Sequence, residues 1–258
     1  MERGIESMAN IERARPEGML VYGKNAVLGA LTAGHPIEKI IFEAGTDKDD
    51  RIRMIKDEAS RRRVTMEYKV GSWFQKSLGD VPHQGVAAQC DKVRLLDMNA
   101  LMGAMPAVPA QRTIVLVDQV TDPHNLGAIV RVAAAARAGG LVVTKDRTSP
   151  FSPAAVSASA GTIFGLPIAV VANLAYAMER LKKEGYWLYG LDVEGGVDYR
   201  KEKYAHPSAF VVGSEGSGMR DLTRKNVDFF VTIPMRPGVE SLNVSTALAV
   251  VLFRAIDF

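Results

Sequence analysis

The segment Ile114-Val115-Leu116-Val117 is apolar at every position and shows none of the in-out alternation of a strand wetted on one face. Such a run suits a strand covered by helices on both sides, the setting of a parallel sheet. The stretch after it keeps one rhythm. A helix is expected over 126–138, a strand over 141–143, a small-residue helix over 153–160 and a strand over 168–171. Helix 174–184, strand 187–192, strand 209–213, helix 220–226, strand 229–233 and helix 240–256 complete it. Strands and helices in this order over residues 113–258 predict an open α/β domain built on a parallel sheet.

The first third reads differently. Residues 1–17 are polar, close on Pro16-Glu17-Gly18 and are expected to form a flexible tail. Residues 18–93 read as a smaller α/β unit, with a helix over 25–33 ended by Gly34 and a strand over 37–42. A charged helix follows over 47–63, with Ile52, Ile55 and Ala59 on its buried stripe, then strands over 64–68 and 85–90. Residues 94–112, with Met98, Met102, Met105, Pro106 and Pro109, read as a linker with room for one helical turn.

Net charge is only +3, so a nucleic-acid partner has to be met by a local basic patch. Arg61-Arg62-Arg63, Lys39 and Lys56 are candidates for phosphate contacts, and a solvated helix end is the plainer reading of the arginine triplet. The single cysteine, Cys90, excludes a disulfide framework and a Cys-based zinc site, and is expected as a small buried hydrophobe. His35, His83, His124 and His206 are scattered, so neither a metal site nor a catalytic histidine is expected. No apolar run approaches the roughly 18 residues of a membrane span, and the N-terminus lacks the apolar core of a signal peptide. A cytoplasmic protein is expected.

Three short segments carry the chemistry. Gly213-Ser214-Glu215-Gly216-Ser217-Gly218 follows the apolar strand Ala209-Phe210-Val211-Val212. A glycine turn after a strand first suggests a dinucleotide. The order here is G-x-x-G-x-G, late in the domain, and Glu215 would repel a pyrophosphate. A turn that tolerates a carboxylate suits a cofactor with no phosphate and a positive centre, which fits the sulfonium of S-adenosyl-L-methionine. In the second segment Asn125 opens a long apolar helix, where an N-cap is the plain reading. Arg131 interrupts that helix, and a buried arginine needs an anion beside it. In the third, Ser241 and Asn243 precede the stripe Val244, Ala247, Leu248, Val251, Leu252 and Ala255. Capping accounts for one of these two polar residues, so the other is expected to face substrate. The small-residue stretch 154–161 permits close helix approach, on the sheet or at an interface.

Together, Asp122-Pro123-His124-Asn125-Leu126-Gly127 running to Arg131, the Gly213 turn, and Ile233-Pro234-Met235 leading to Ser241-Leu242-Asn243-Val244-Ser245 resemble the SpoU-type RNA ribose 2′-O-methyltransferases of the SPOUT superfamily. The resemblance covers nearly the whole chain. It implies a parallel α/β fold with a deep trefoil knot, and a homodimer with the cofactor pocket near its interface. It implies that Gly213, Ser214, Glu215, Gly216, Ile233, Met235, Leu242, Asn243 and Val244 hold S-adenosyl-L-methionine. Arg131 would act on the ribose, with Asn125, Glu215, Ser241 and Asn243 orienting it or relaying its proton. A guanidinium with a pKa above about 12 makes a demanding base, so a contact to phosphate or to the developing alkoxide is expected of Arg131.

Val21-Tyr22-Gly23-Lys24-Asn25-Ala26-Val27 and His83-Gln84-Gly85-Val86-Ala87-Ala88 resemble the L30e-like substrate-binding domain of bacterial large-subunit rRNA methylases. Those act on a guanosine in the peptidyl-transferase region of 23S rRNA. The alternatives are a tRNA ribose 2′-O-methyltransferase and a non-catalytic RNA-binding or ribosome-assembly factor.

Overall fold

The computed structural model describes residues 18–46, 48–108, 112–145, 151–193 and 195–256, so the tail expected over 1–17 lies outside the described residues. The first unit is a four-stranded sheet of β1 (Met19–Tyr22), β2 (Ile37–Glu43), β3 (Thr65–Lys69) and β4 (Val86–Cys90), in the order β1-β4-β2-β3. Only β2 and β3 run parallel. Helices α1 (Lys24–Thr32), α2 (Asp50–Arg61) and α3 (Gly71–Leu78) accompany it. In α2 the Asp49 carboxylate accepts from the N–H groups of Arg51 and Ile52, which sets the helix start at Asp50 rather than at 47. Ile52, Ile55 and Ala59 form its buried stripe. β1 and α3 were not foreseen. β1 is a four-residue strand, and α3 buries only Phe74, so neither carries much period to read.

The second unit is a seven-stranded sheet in the order β7-β6-β5-β10-β8-β11-β9, parallel throughout. Its strands are β5 (Thr113–Val117), β6 (Gly140–Thr144), β7 (Ile168–Val171), β8 (Trp187–Leu191), β9 (Val197–Asp198), β10 (Ser208–Val212) and β11 (Phe229–Thr232). Helices α4 (Met98–Gly103), α5 (Pro123–Ala135), α6 (Pro153–Ala158), α7 (Leu174–Lys183), α8 (Asp221–Asn226) and α9 (Val244–Ala255) surround it. The central strands explain the apolar run. Val115, Val117, Phe210 and Val212 face a core shared with α5 and α9. Ile114, Leu116, Ala209 and Val211 face the other way, against α7. Each Val, Ile, Leu or Phe among them contributes about 1.5–3 kcal/mol on burial, and a polar residue on either face would forfeit that.

Residues 94–108, expected as a linker, carry packed structure. Leu96 donates to the Ile168 carbonyl at 2.8 Å and accepts from the Val170 N–H at 3.0 Å, and α4 buries Met98 and Leu101 on the α7 side of the sheet. The small residues of α6 serve helix contact rather than sheet packing: a Cβ on Gly127 of α5 would lie 2.4 Å from the Ala155 carbonyl oxygen. α6 also meets the first unit. Met19, Val21, Ala26 and Cys90 share one core cluster with Ala155 and Val156, and a Cβ on Gly29 of α1 would lie 2.6 Å from the Gly161 Cα. Burial, with a smaller contribution from Asp91, pushes the Cys90 thiol up to about 12, so it stays protonated at neutral pH.

The order of the second sheet positions the site. β10 comes late in sequence yet lies between β5 and β8. From β5 the chain steps to β6 and β7 on one side, whereas β8, β9, β10 and β11 all lie on the other, so the direction of winding reverses beside β5. Ligands of open α/β sheets bind beyond the carboxyl ends of the strands at such a switch point.

Candidate active site

Beyond the carboxyl ends of β8, β10 and β11 the sheet opens into a cleft of about 310 Å³, within the usual range of roughly 300–1,000 Å³ for small-molecule sites. Gly213, Ser214, Glu215, Gly216, Ile233, Met235, Ser241, Leu242 and Val244 all line it. Asn243, Asn125 and Arg131 are not among its walls.

The glycine turn closes on itself. The Ser214 N–H donates to the Gly218 carbonyl at 3.0 Å, and the Gly218 N–H returns the bond to the Ser214 carbonyl at 3.0 Å. Gly218 holds a left-handed φ of +66°. A Cβ on Gly213 would stand 2.2 Å from the Gly218 carbonyl carbon, so this position needs glycine for closure of the turn rather than for room in the cleft. A Cβ on Gly216 would meet nothing within 4 Å. Backbone at Gly216 is therefore open to a ligand. With Val212, Val231, Ile233, Leu242, Val244 and Ala247 on the walls, the cleft is an apolar, backbone-lined slot of the kind an adenosine fits.

Glu215 does not stand alone. Its Oε1 accepts from Asn243 Nδ2 at 2.5 Å and lies 3.4 Å from the Val244 N–H, the first residue of α9. A carboxylate at a helix N-terminus meets free donors and the positive end of the dipole, which is why this turn tolerates one. Helix α9 begins at Val244, not at 240, and Asn243 caps it: Oδ1 accepts from the Ser245 N–H at 3.0 Å. The same amide points its Nδ2 the other way, to Glu215 and to Asn125 Oδ1 at 2.8 Å. Capping and site-facing roles thus fall on one residue, and Ser241 stands exposed on the cleft wall. Asn125 is free for this contact because Asp122 caps α5, accepting from the N–H groups of His124 and Asn125. Pro123 then takes the first helical position, where its missing N–H costs nothing.

Arg131 corrects the expectation of a buried charge. It is exposed, and among the described residues it makes no hydrogen bond or ion pair. Seven positions separate it from exposed His124, so both lie on the water-facing stripe of α5, whose other faces are packed. No anion among the described residues neutralises it.

Sequence reasoning missed Leu191, Asp192, Val193 and Arg224, which also line the cleft. Arg224 forms an ion pair with Asp192 and lies 4.8 Å above the Phe230 ring. Leu191 ends β8 and Asp192 and Val193 follow it, and nothing local in sequence places that strand beside β10. Several basic candidates of the first unit are already engaged. Lys39 pairs with Glu67 at 2.9 Å, Arg61 and Arg62 both pair with Glu58 at 2.6 Å, and Lys56 lies 4.8 Å above the Tyr68 ring. Arg63 is exposed. No histidine lines the cleft. Among the described residues no group of three His, Cys, Asp or Glu could hold a metal ion, and no helix is long and apolar enough to cross a membrane.

The chain is similar to known proteins along most of its length. The SpoU rRNA methylase family model matches residues 112–253, and the model for RNA 2′-O ribose methyltransferase substrate binding matches residues 20–96. The 23S rRNA (guanosine-2′-O-)-methyltransferase RlmB of Xanthomonas campestris is 36% identical over 237 residues, covering 92% of this chain and 95% of its own. A TrmH-family tRNA/rRNA methyltransferase of Staphylococcus saprophyticus is 35% identical over 237 residues, covering 92% of this chain and 94% of its own. Among solved structures, the SpoU methyltransferase AviRb of Streptomyces viridochromogenes in complex with AdoMet superposes with a TM-score of 0.76 at 24% identity, covering 93% of this chain and 90% of that one.

Proposed function

The chain belongs to the SpoU rRNA methylase family, and from that premise we propose that it methylates the ribose 2′-hydroxyl of a guanosine in the peptidyl-transferase region of 23S rRNA. It is an S-adenosyl-L-methionine-dependent RNA methyltransferase; the target nucleotide is our reading. The observation that carries the site assignment is the Asn243 amide, which joins Asn125 and Glu215 at 2.8 and 2.5 Å beside the cleft.

The cofactor supplies a methyl group on a positively charged sulfur, open to in-line attack. The protein's task is to hold the attacking oxygen about 3 Å from that carbon, aligned and dry. Ile233, Leu242, Val244 and Met235 on the cleft wall, with the backbone of Gly213, Ser214 and Gly216, would hold the adenosine and methionine parts of the cofactor. Glu215, Asn243, Asn125 and Ser241 orient the ribose and relay its proton. Arg131, exposed and without an anion beside it among the described residues, binds the flanking phosphate or the developing alkoxide.

Support for RNA docking by the first unit comes from its match to a substrate-binding model, and support for rRNA from the 36% relative named as acting on 23S rRNA. On this reading residues 18–93 dock RNA, residues 113–258 carry the chemistry, and the protein works in the cytoplasm as a homodimer. The knot belongs to the same proposal. It is supported by the late insertion of β10 beside β5 and by the return of α9 to pack with α5 in one core. Mass-spectrometric mapping of 2′-O-methyl groups in a deletion strain tests the substrate. Loss of one methyl in 23S rRNA is expected; loss in tRNA alone would move the assignment to the tRNA class.

Asn243 separates capping from chemistry. Asn243→Ala should destabilise α9 by about 1 kcal/mol through the lost cap. Asn243→Asp keeps the cap oxygen but sets a second carboxylate against Glu215. Both should lower turnover at least tenfold, on the order of a lost positioned polar group. The alanine variant should melt lower by a few degrees, roughly 2–4 °C per kcal/mol at this size, whereas any loss in the aspartate variant comes from repulsion by Glu215 and not from the cap. Thermal melts with single-turnover rates check it, and a normal rate in the aspartate variant would remove the amide bridge from the mechanism.

A further inference from the structure

Alone among the charged side chains of the described residues, Asp118 is buried, at 0% exposure. It is the first residue beyond β5, and its N–H donates to the Val212 carbonyl at 2.8 Å, extending the β5–β10 ladder past Val117. Its Oδ2 accepts the backbone N–H of Arg220 at 2.8 Å, across 102 residues of chain. Its Oδ1 has no hydrogen-bond partner among the described residues; the Arg220 Nε stands 3.8 Å away, on a side chain 48% exposed. A carboxylate in such a place is an expensive way to fill space, and an apolar side chain would pack there without desolvating a charge. Its neighbour Gln119 holds φ +60°, left-handed for a non-glycine residue, and sparsely populated backbone of this kind gathers at functional sites.

Two loops leave the sheet at this point. One runs from β5 through Gln119 to Asp122 and Asn125. The other is the glycine turn carrying Glu215, which ends at Arg220. We propose that Asp118 is a positioning residue that clamps the exit of the glycine turn to the end of β5, through the Arg220 backbone N–H, and so fixes Glu215 relative to Asn125. Its effect on the cofactor rests on the function proposed above; the clamp itself does not.

Two variants open the clamp from opposite sides. Asp118→Ala removes the acceptor. Arg220→Pro removes the donor, and the Arg220 φ of −59° is one that proline adopts. Arg220→Ala keeps the N–H and controls for the guanidinium. Amide hydrogen exchange on the full chain should show residues 213–219 opening at least about tenfold more readily in Asp118→Ala and Arg220→Pro, with Arg220→Ala within about threefold of wild type and β5 and β10 still protected. Calorimetry with S-adenosyl-L-methionine should show Kd weakened by about tenfold in the first two variants. Unchanged exchange of the turn would overturn the proposal. Equal loss of protection in turn and strands would also overturn it, making Asp118 a general stabiliser. If Asp118→Ala fails to fold, the comparison of proline with alanine at Arg220 decides. A selective effect in a protein that binds no S-adenosyl-L-methionine would uphold the clamp and refute the function.

Discussion

Gly213→Ala should cost at least about a hundredfold in cofactor affinity, the scale on which cradle contacts are lost together. The added methyl would meet the Gly218 carbonyl carbon at 2.2 Å, its oxygen at 2.4 Å and the Met219 nitrogen at 2.4 Å. All three are backbone atoms of the same turn, and none can rotate aside as the end of a side chain would. Relief requires breaking the Ser214–Gly218 bond pair and opening the loop that forms one wall of the cleft. The turn is largely exposed, so the fold should survive with a loss of about 1–3 kcal/mol, the usual cost of overpacking. Gly216→Ala is the matched control: it meets no protein atom, so any loss of affinity there reports contact with the ligand itself. Calorimetry on the three proteins reads both effects. Wild-type affinity in Gly213→Ala would show that the turn is not part of the binding site.

Arg131→Ala should lower turnover by at least about a hundredfold, as expected for removing one positioned electrostatic group. Stability should stay within about 0.5 kcal/mol of wild type, because the side chain is exposed and has no polar partner among the described residues. Cofactor affinity should change little, since Arg131 does not line the cleft. Arg131→Lys should rescue poorly, because an ammonium cannot reproduce the planar two-pronged contact a guanidinium makes with phosphate. Near-normal single-turnover rates in the alanine variant would reduce Arg131 to an ordinary solvated arginine.

How far the sequence reaches depends on whether the deciding interaction is local. The parallel sheet was legible because β5 and β10 are buried on both faces, and a strand in that setting has no polar position to spare. The residues of the glycine turn were legible as a group, since a glycine run after an apolar strand has few uses. The physical reason for Gly213 was not, because Gly218 closes on it only in three dimensions. Arg131 shows the limit of a helical pattern: neighbouring small residues such as Ala128 and Ala135 resemble core on paper, yet they flank a stripe open to water. Asn125 was masked by its capping propensity until Asp122 proved to hold the cap. Asp118 and the residues after β8 could not be found at all, since their roles depend on β10 inserting between β5 and β8.

The central claim is that this cleft delivers a methyl group to a ribose oxygen of RNA, and alkali reads that oxygen directly. Strand scission by base needs a free 2′-hydroxyl, so a methylated ribose leaves its nucleotide joined to the next as an alkali-stable dinucleotide. Protein, 23S rRNA and S-adenosyl-L-methionine labelled in the methyl group are incubated, and the RNA is hydrolysed in base and separated. The account predicts label in the alkali-stable dinucleotide, and its loss with Arg131→Ala. Label in mononucleotides would mean a methylated base and would contradict it, as would RNA that takes up no label from any RNA class offered.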